Sequence, residues 1–213
     1  MSLRGVIFDL DGTLADTLPV SFAAYREIFR QVLGVTLTNP EIRAMFGPSD
    51  FGLLKQRLGR SAHEAYPSFL ASYRRAHRIC RRPFPGISEL LDMLDRCGLR
   101  LSIVTGKGAD ATSITLEELG LAERFDPVEA GSDRGACKPQ AMARVCEAWR
   151  LEPRQVVSVG DAPSDLRAAR HAGVLPVGAA WARTCDRNAL AELEPAALFR
   201  RVSDFQRWVE SRL

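Results

Sequence analysis

Four short apolar runs limit what this chain can become: Val6-Ile7-Phe8, Leu101-Ser102-Ile103-Val104, Val156-Val157-Ser158-Val159 and Leu175-Pro176-Val177. Each is too short for a helix, rich in β-branched residues, and lacks the alternation of a strand with one wet face. Strands buried on both faces of a parallel sheet read this way. Amphipathic stretches separate them, at 88–97, 109–119 and 139–149. The alternation predicts an α/β fold, a Rossmann-like doubly wound parallel sheet with right-handed crossovers.

One interval breaks the rhythm. Residues 16–82 carry only helical pattern, at 18–33, 40–45, 53–58 and 64–79, before Pro83-Phe84-Pro85-Gly86 punctuates the return. The chain is therefore expected to divide into an α/β core of residues 1–15 and 84–213 and an inserted α-helical cap of residues 16–83. Such a cap would sit over the carboxyl ends of the strands, where open α/β sheets bind ligands.

Composition narrows the class. A chain of 213 residues with 46% hydrophobic and 26% charged residues can bury an ordinary core. A formal charge of +3 does not argue for nucleic acid, and no apolar run reaches bilayer length. The N-terminus lacks a signal-peptide apolar region, and the five cysteines form no C-x-x-C pair, so a cytoplasmic protein with reduced thiols is expected. His63, His77 and His171 have no metal-ligand spacing and give no zinc site. Arg74, Arg75, Arg78, Arg81 and Arg82 read first as a solvated basic face, and next as a weak steering patch for anions.

The polar residues that end the apolar runs carry the chemistry. Val6-Ile7-Phe8 leads into Asp9 and Leu10-Asp11-Gly12-Thr13, the second run into Thr105-Gly106-Lys107, and the third into Gly160-Asp161, with Asp165 beyond. Two acids at i and i+2, joined by a second pair from another strand, make a hard, oxygen-rich pocket. That pocket suits Mg²⁺, which takes one or two carboxylates, waters and substrate phosphate. Without a cation the acids would repel one another and raise their own pKa values. Taken singly, each residue has a plainer role. Asp-Gly is a turn signal, Thr105-Gly106 a helix N-cap, Lys138 a solvated lysine at a helix entry before Pro139, and Asp161 with Asp165 a cap and a first-turn acid favoured by the helix dipole. The combination is what distinguishes them.

In order and spacing these residues resemble the haloacid dehalogenase-like hydrolase superfamily. Phe8-Asp9-Leu10-Asp11-Gly12-Thr13-Leu14 is similar to its first motif, and Thr105 in Ile103-Val104-Thr105-Gly106 to its second. Lys138 before Pro139 is similar to the third, and Gly160-Asp161-Ala162-Pro163-Ser164-Asp165 to the fourth. The helical insertion resembles the cap of the subgroup that includes phosphoglycolate phosphatases. The resemblance implies a Mg²⁺-dependent phosphatase that hydrolyses a small phosphomonoester through an aspartyl-phosphate. Asp9 would be the nucleophile. Asp11 would protonate the leaving oxygen and later deprotonate water, pointing away from the metal. Thr105, with Gly106 and Lys107, would hold the phosphoryl group, and Lys138 would offset its charge. Asp9, Asp11, Asp161 and Asp165 form the acidic metal-site set. Within it Asp161 would be a direct ligand, and Asp165 would act through water or by positioning Lys138. The broken segment Met45-Phe46-Gly47-Pro48-Ser49-Asp50-Phe51-Gly52 would bring Phe46, Gly47 and the following Lys55 to the leaving group.

Asp11 separates this chain from the dehalogenase branch, in which a halide leaves without a proton. The phosphonatase branch departs at that position and places a Schiff-base lysine in its cap. The sugar-phosphate mutase branch typically carries a histidine soon after the first motif, and residues 14–30 contain none. A mutase, a phosphonatase and a non-catalytic phosphometabolite-binding scaffold are the alternatives, since fold alone does not fix function. Phosphoglycolate is one candidate substrate beside sugar phosphates, nucleotides and pyrophosphate. Oligomeric state is not legible.

Overall fold

The computed structural model describes residues 2–135 and 137–213. Its strands are β1 (Gly5–Phe8), β2 (Arg100–Val104), β3 (Val128–Glu129), β4 (Val156–Gly160), β5 (Leu175–Ala179) and β6 (Ala197–Phe199). They form one parallel sheet in the order β3-β2-β1-β4-β5-β6. The chain leaves β1 toward one edge, then returns to build the other edge from β4. That reversal puts the ligand crevice at the carboxyl end of β1.

The two-faced burial expected of the strands is present. Val6 and Phe8 join the larger apolar core, while Ile7 between them joins a second core with Met142, Val145, Trp149 and Val156. The second core is closed by α7 (Lys138–Trp149) and α8 (Pro163–His171), and the first by α5 (Ile87–Arg96), α6 (Ala109–Glu118) and α10 (Val202–Glu210). A short α9 (Arg187–Ala191) links β5 to β6.

Between β1 and α5 lie only helices among the described residues: α1 (Leu18–Leu33), α2 (Asn39–Arg43), α3 (Asp50–Leu58) and α4 (Ala62–Ala76), with short 3-10 turns after α3 and α4. Local signals set their ends. Gly34, at φ 69°, closes α1 in the left-handed conformation that a side chain resists. Thr38 and Glu41 form a capping box on α2, and the Ser49 hydroxyl accepts from the Gly52 N–H at 3.1 Å on α3. Where this stretch ends, the Phe84 N–H donates to the Leu14 carbonyl at 2.9 Å, tying its exit to its start.

The arginine cluster is partly a brace between helices. Arg74 of α4 pairs with Glu117 and Glu118 of α6 at 2.7 and 3.2 Å, and Arg75 pairs with Glu27 of α1 at 3.0 Å. Exposed pairs of this kind add less than about 1 kcal/mol each. No helix of the described residues is long and apolar enough to cross a membrane.

Candidate active site

Strand register brings the chemistry together. Phe8 pairs with Ile103 on one side and Val159 on the other, so Asp9, Thr105 and Asp161 emerge at the same sheet edge. The Asp9 N–H is held by the Val159 carbonyl at 2.9 Å and the Thr105 N–H by that of Glu129 at 3.0 Å. The loop after β1 can turn tightly because Gly12 has φ +86°; a Cβ there would lie 2.6 Å from the Asp161 carboxyl carbon. The adjacent Thr13 hydroxyl donates to Asp161 at 3.1 Å.

Carboxylate oxygens of Asp9, Asp161 and Asp165 all lie within 4.8 Å of one another, the only such grouping of potential ligands among the described residues. Lys138, the first residue of α7, reaches between Asp9 and Asp165 and bonds each at 2.6 Å. The second oxygen of Asp165 accepts from the Ala162 N–H at 3.0 Å, which fixes its orientation at the start of α8. Burial pushes the Asp9 carboxyl well above the usual carboxylate range; Lys138 works against that shift, and Asp165 and Asp161 reinforce it. Burial, then Asp165, pushes Asp161 up to about 7. Burial would depress the Lys138 ammonium, yet Asp165 and Asp9 overcome it and hold the group charged.

Asp11 stands outside this trio. One of its oxygens accepts from the Thr17 hydroxyl, and the other faces the Lys107 ammonium at 3.3 Å. Lys107 is buried, also reaches the Ser21 hydroxyl at 3.2 Å, and lies 4.7 Å from the centre of the Tyr73 ring. The site thus sets four carboxyl groups against two ammonium groups. Hard oxygen donors that burial and mutual repulsion push toward protonation suit a divalent cation, which would relieve both. Asp9, Asp161 and Asp165 could hold one; Asp11 is turned to Lys107 and Thr17.

A cavity of about 470 Å³ opens over this edge, bounded on the sheet side by Asp9, Asp11, Gly106, Lys107, Lys138 and Asp161. Thr105 is buried beside it, its hydroxyl accepting from the Lys107 N–H at 3.2 Å. Phe46 and Gly47 line the opposite wall, where the broken segment was expected to bring them. Lys55 does not: it is exposed on α3 and absent from the lining, and the helical stretch's cation at the cavity is Arg43. Asp50 was also unforeseen. Its carboxylate accepts from the Tyr25 hydroxyl at 2.7 Å and from the Gly108 N–H at 2.8 Å, so it caps α6 from across the cavity. In sequence Asp50 lies within the broken segment expected at the leaving group but is given no role of its own, and Arg43 lies in the helical stretch just before it. No local pattern marks either side chain as one that enters the cavity.

Residues 6–179 match the model of the family described as haloacid dehalogenase-like hydrolase. A phosphoglycolate phosphatase of Nitrosospira multiformis is 30% identical over 184 residues, 81% of each chain. An N-acetylmuramic acid 6-phosphate phosphatase of Pseudomonas aeruginosa is 29% identical over 181 residues, covering 81% of this chain and 80% of the relative. Among solved structures, a haloacid dehalogenase-like hydrolase from Streptococcus pneumoniae superposes with a TM-score of 0.77 at 23% identity, over 97% of this chain and 98% of that one. This chain belongs to the haloacid dehalogenase-like hydrolase family. It is an enzyme, a phosphohydrolase of the phosphoric-monoester class.

Proposed function

We propose that the protein is a Mg²⁺-dependent phosphatase that hydrolyses a small phosphomonoester through a phosphorylated Asp9. The observation that carries this reading is the Asp9 carboxylate, buried at the end of β1, bonded by Lys138 at 2.6 Å, and facing the cavity. In the first step an Asp9 oxygen attacks phosphorus, the ester P–O bond breaks, and Asp11 gives its proton to the leaving oxygen. In the second, water attacks phosphorus, Asp11 takes a proton from that water, and the bond between phosphorus and Asp9 breaks to release phosphate. Lys138 offsets the charge of Asp9 and of the transferring group, and Asp165 holds Lys138 in place. Gly106 and Lys107 border the phosphoryl position, with Thr105 beneath them. Asp9, Asp161 and Asp165 would hold Mg²⁺, which supplies charge neutralisation and orientation of the phosphoryl oxygens.

Residues 16–83 serve in this reading as a cap that forms the leaving-group wall and performs no chemistry. In support, no lysine of that stretch lines the cavity, as an imine-forming phosphonatase would need. Phosphoglycolate is the first ester to assay, since several relatives carry its name. The test is turnover of p-nitrophenyl phosphate. Asp9→Asn should lower kcat/KM by about a thousandfold or more. Chelation should abolish activity, Mg²⁺ should restore it, and the larger Ca²⁺ should substitute poorly. Activity of Asp9→Asn within tenfold of wild type, or full activity in excess chelator, would overturn the mechanism.

A further inference from the structure

The wall that faces the leaving group contains polar side chains already committed to partners, and one that is not. Ser21 accepts from Lys107 at 3.2 Å, Tyr25 donates to Asp50 at 2.7 Å, and Asp50 spends its second oxygen on the Gly108 N–H at 2.8 Å. Arg43, at the end of α2, lines the same cavity, and its guanidinium has no hydrogen-bond or ion-pair partner among the described residues. A guanidinium matches a carboxylate with two parallel N–H donors, a fit that an ammonium lacks.

Beside it stands an aromatic surface. Phe46 is 39% exposed, and among the described residues it alone of the exposed large apolar side chains lines this cavity. Its ring is stacked on Phe22 at 6.0 Å between centroids with 12° between planes, and it is buttressed by Tyr25 at 6.1 Å. A backed ring with area still open to the cavity offers a platform for a flat or ring-shaped group. Volume points the same way. The cavity of about 470 Å³ lies within the roughly 300–1,000 Å³ range of sites that enclose drug-sized ligands, and a two-carbon leaving group would leave much of it to water.

We infer that Arg43 and Phe46 together form a leaving-group subsite for a ring-sized alcohol bearing a carboxylate, with Arg43 taking the carboxylate and Phe46 the ring. The inference rests on the phosphatase reading of Asp9 and names the class of ester that this site prefers. It replaces Lys55, whose exposed position on α3 keeps it out of the cavity, as the residue that reads a second anion.

Three esters with the same scissile bond test it: ethyl phosphate, benzyl phosphate and 4-carboxybenzyl phosphate, each assayed with Mg²⁺. Wild type should favour the carboxybenzyl over the benzyl ester by about tenfold or more in kcat/KM, mostly through KM, as a charge-assisted pair requires. Arg43→Gln should bring that ratio to within about twofold of one, and Arg43→Lys should restore part of it. Phe46→Ala should shrink the benzyl-to-ethyl ratio several-fold while leaving the carboxylate preference in place. Arg43 is exposed, so its variants should fold, and the readout is a ratio within each variant. A wild-type ratio near one, or a ratio that survives Arg43→Gln, would make Arg43 a solvated helix-end cation and overturn the inference. Failure of wild type to turn over any of the three while it still hydrolyses p-nitrophenyl phosphate would overturn the inference alone; failure on p-nitrophenyl phosphate as well would refute the phosphatase reading.

Discussion

Gly131→Ala isolates how far the loop after β2 controls catalysis. Gly131 has no left-handed backbone that demands glycine, so the only obstacle to alanine is space. A Cβ there would lie 2.6 Å from the carbonyl carbon of Gly106 and 3.1 Å from its Cα, and closer still to the carbonyl oxygen. The obstacle is backbone, tied in place by the Gly131 N–H bond to the Lys107 carbonyl at 2.7 Å. Non-bonded carbons settle at about 3.5 Å or more, so Thr105–Lys107 must retreat by about 1 Å. Overpacking of this kind costs about 1–3 kcal/mol of stability, which the whole protein should survive. Its catalytic cost should be larger in proportion. A displacement of about 1 Å at a group that positions the reacting atoms can lower the rate about a hundredfold, close to 2.7 kcal/mol in activation free energy. The assay is kcat/KM on p-nitrophenyl phosphate beside a urea melt, with Gly120→Ala as a remote control for general stability. Retention of activity within threefold of wild type, in a variant with the expected stability loss, would refute the claim that this loop sets phosphoryl position.

Two further perturbations probe separate links. Asp11→Asn should slow the first chemical step far more for an alkyl phosphate than for p-nitrophenyl phosphate in single-turnover mixing, because only an alkoxide needs the proton; equal losses would remove Asp11 from the general-acid role. Burial holds the His77 imidazole below its ordinary pKa, and the ring is fully enclosed, bonded at 3.2 Å to both the Cys80 carbonyl and the Thr115 hydroxyl. The unfolded chain therefore takes up this proton first as pH falls through about 6.5, and stability should drop with falling pH by at most about 1.4 kcal/mol per unit. Urea midpoints between pH 7.5 and 5.5 should show a shallower pH slope in His77→Gln than in wild type, and identical slopes would contradict that account.

Much of the sheet edge that carries the candidate site is legible in sequence because each element there obeys a local rule. β1, β2, β4 and β5 are short apolar runs with no alternation, and the acids and hydroxyl that follow them sit where a parallel sheet must place them. The two outer strands were not legible. β3 is only Val128–Glu129 and β6 only Ala197–Phe199, each held by a single neighbour at the sheet's rim, so their sequences carry little periodic signal. α10, by contrast, carries a sequence signal, since Val202, Phe205 and Val209 give it an apolar face at helical spacing. The leaving-group wall failed for a different reason. Lys55 follows the broken loop in sequence, but the side of α3 that meets the core carries Asp50, Leu53 and Leu54, and Lys55 falls on the exposed side. Arg43 reaches the cavity through the packing of α2 against α1, which no local pattern specifies. Asp50 and Gly108 are 58 residues apart, and their contact likewise exists only in the folded chain.

The central claim is that the phosphoryl group passes through Asp9. The Asp11→Asn variant allows a direct look, because p-nitrophenolate leaves without a proton while hydrolysis of the phosphorylated enzyme still needs the missing base. Mixed with excess p-nitrophenyl phosphate and Mg²⁺, this variant should release a burst of about one p-nitrophenolate per enzyme and then turn over slowly. Acid quench and borohydride reduction should convert residue 9 to homoserine, visible in the mass of the peptide that contains it. A variant with no burst and an unmodified Asp9, or a burst with the phosphoryl group on another residue, would contradict the account.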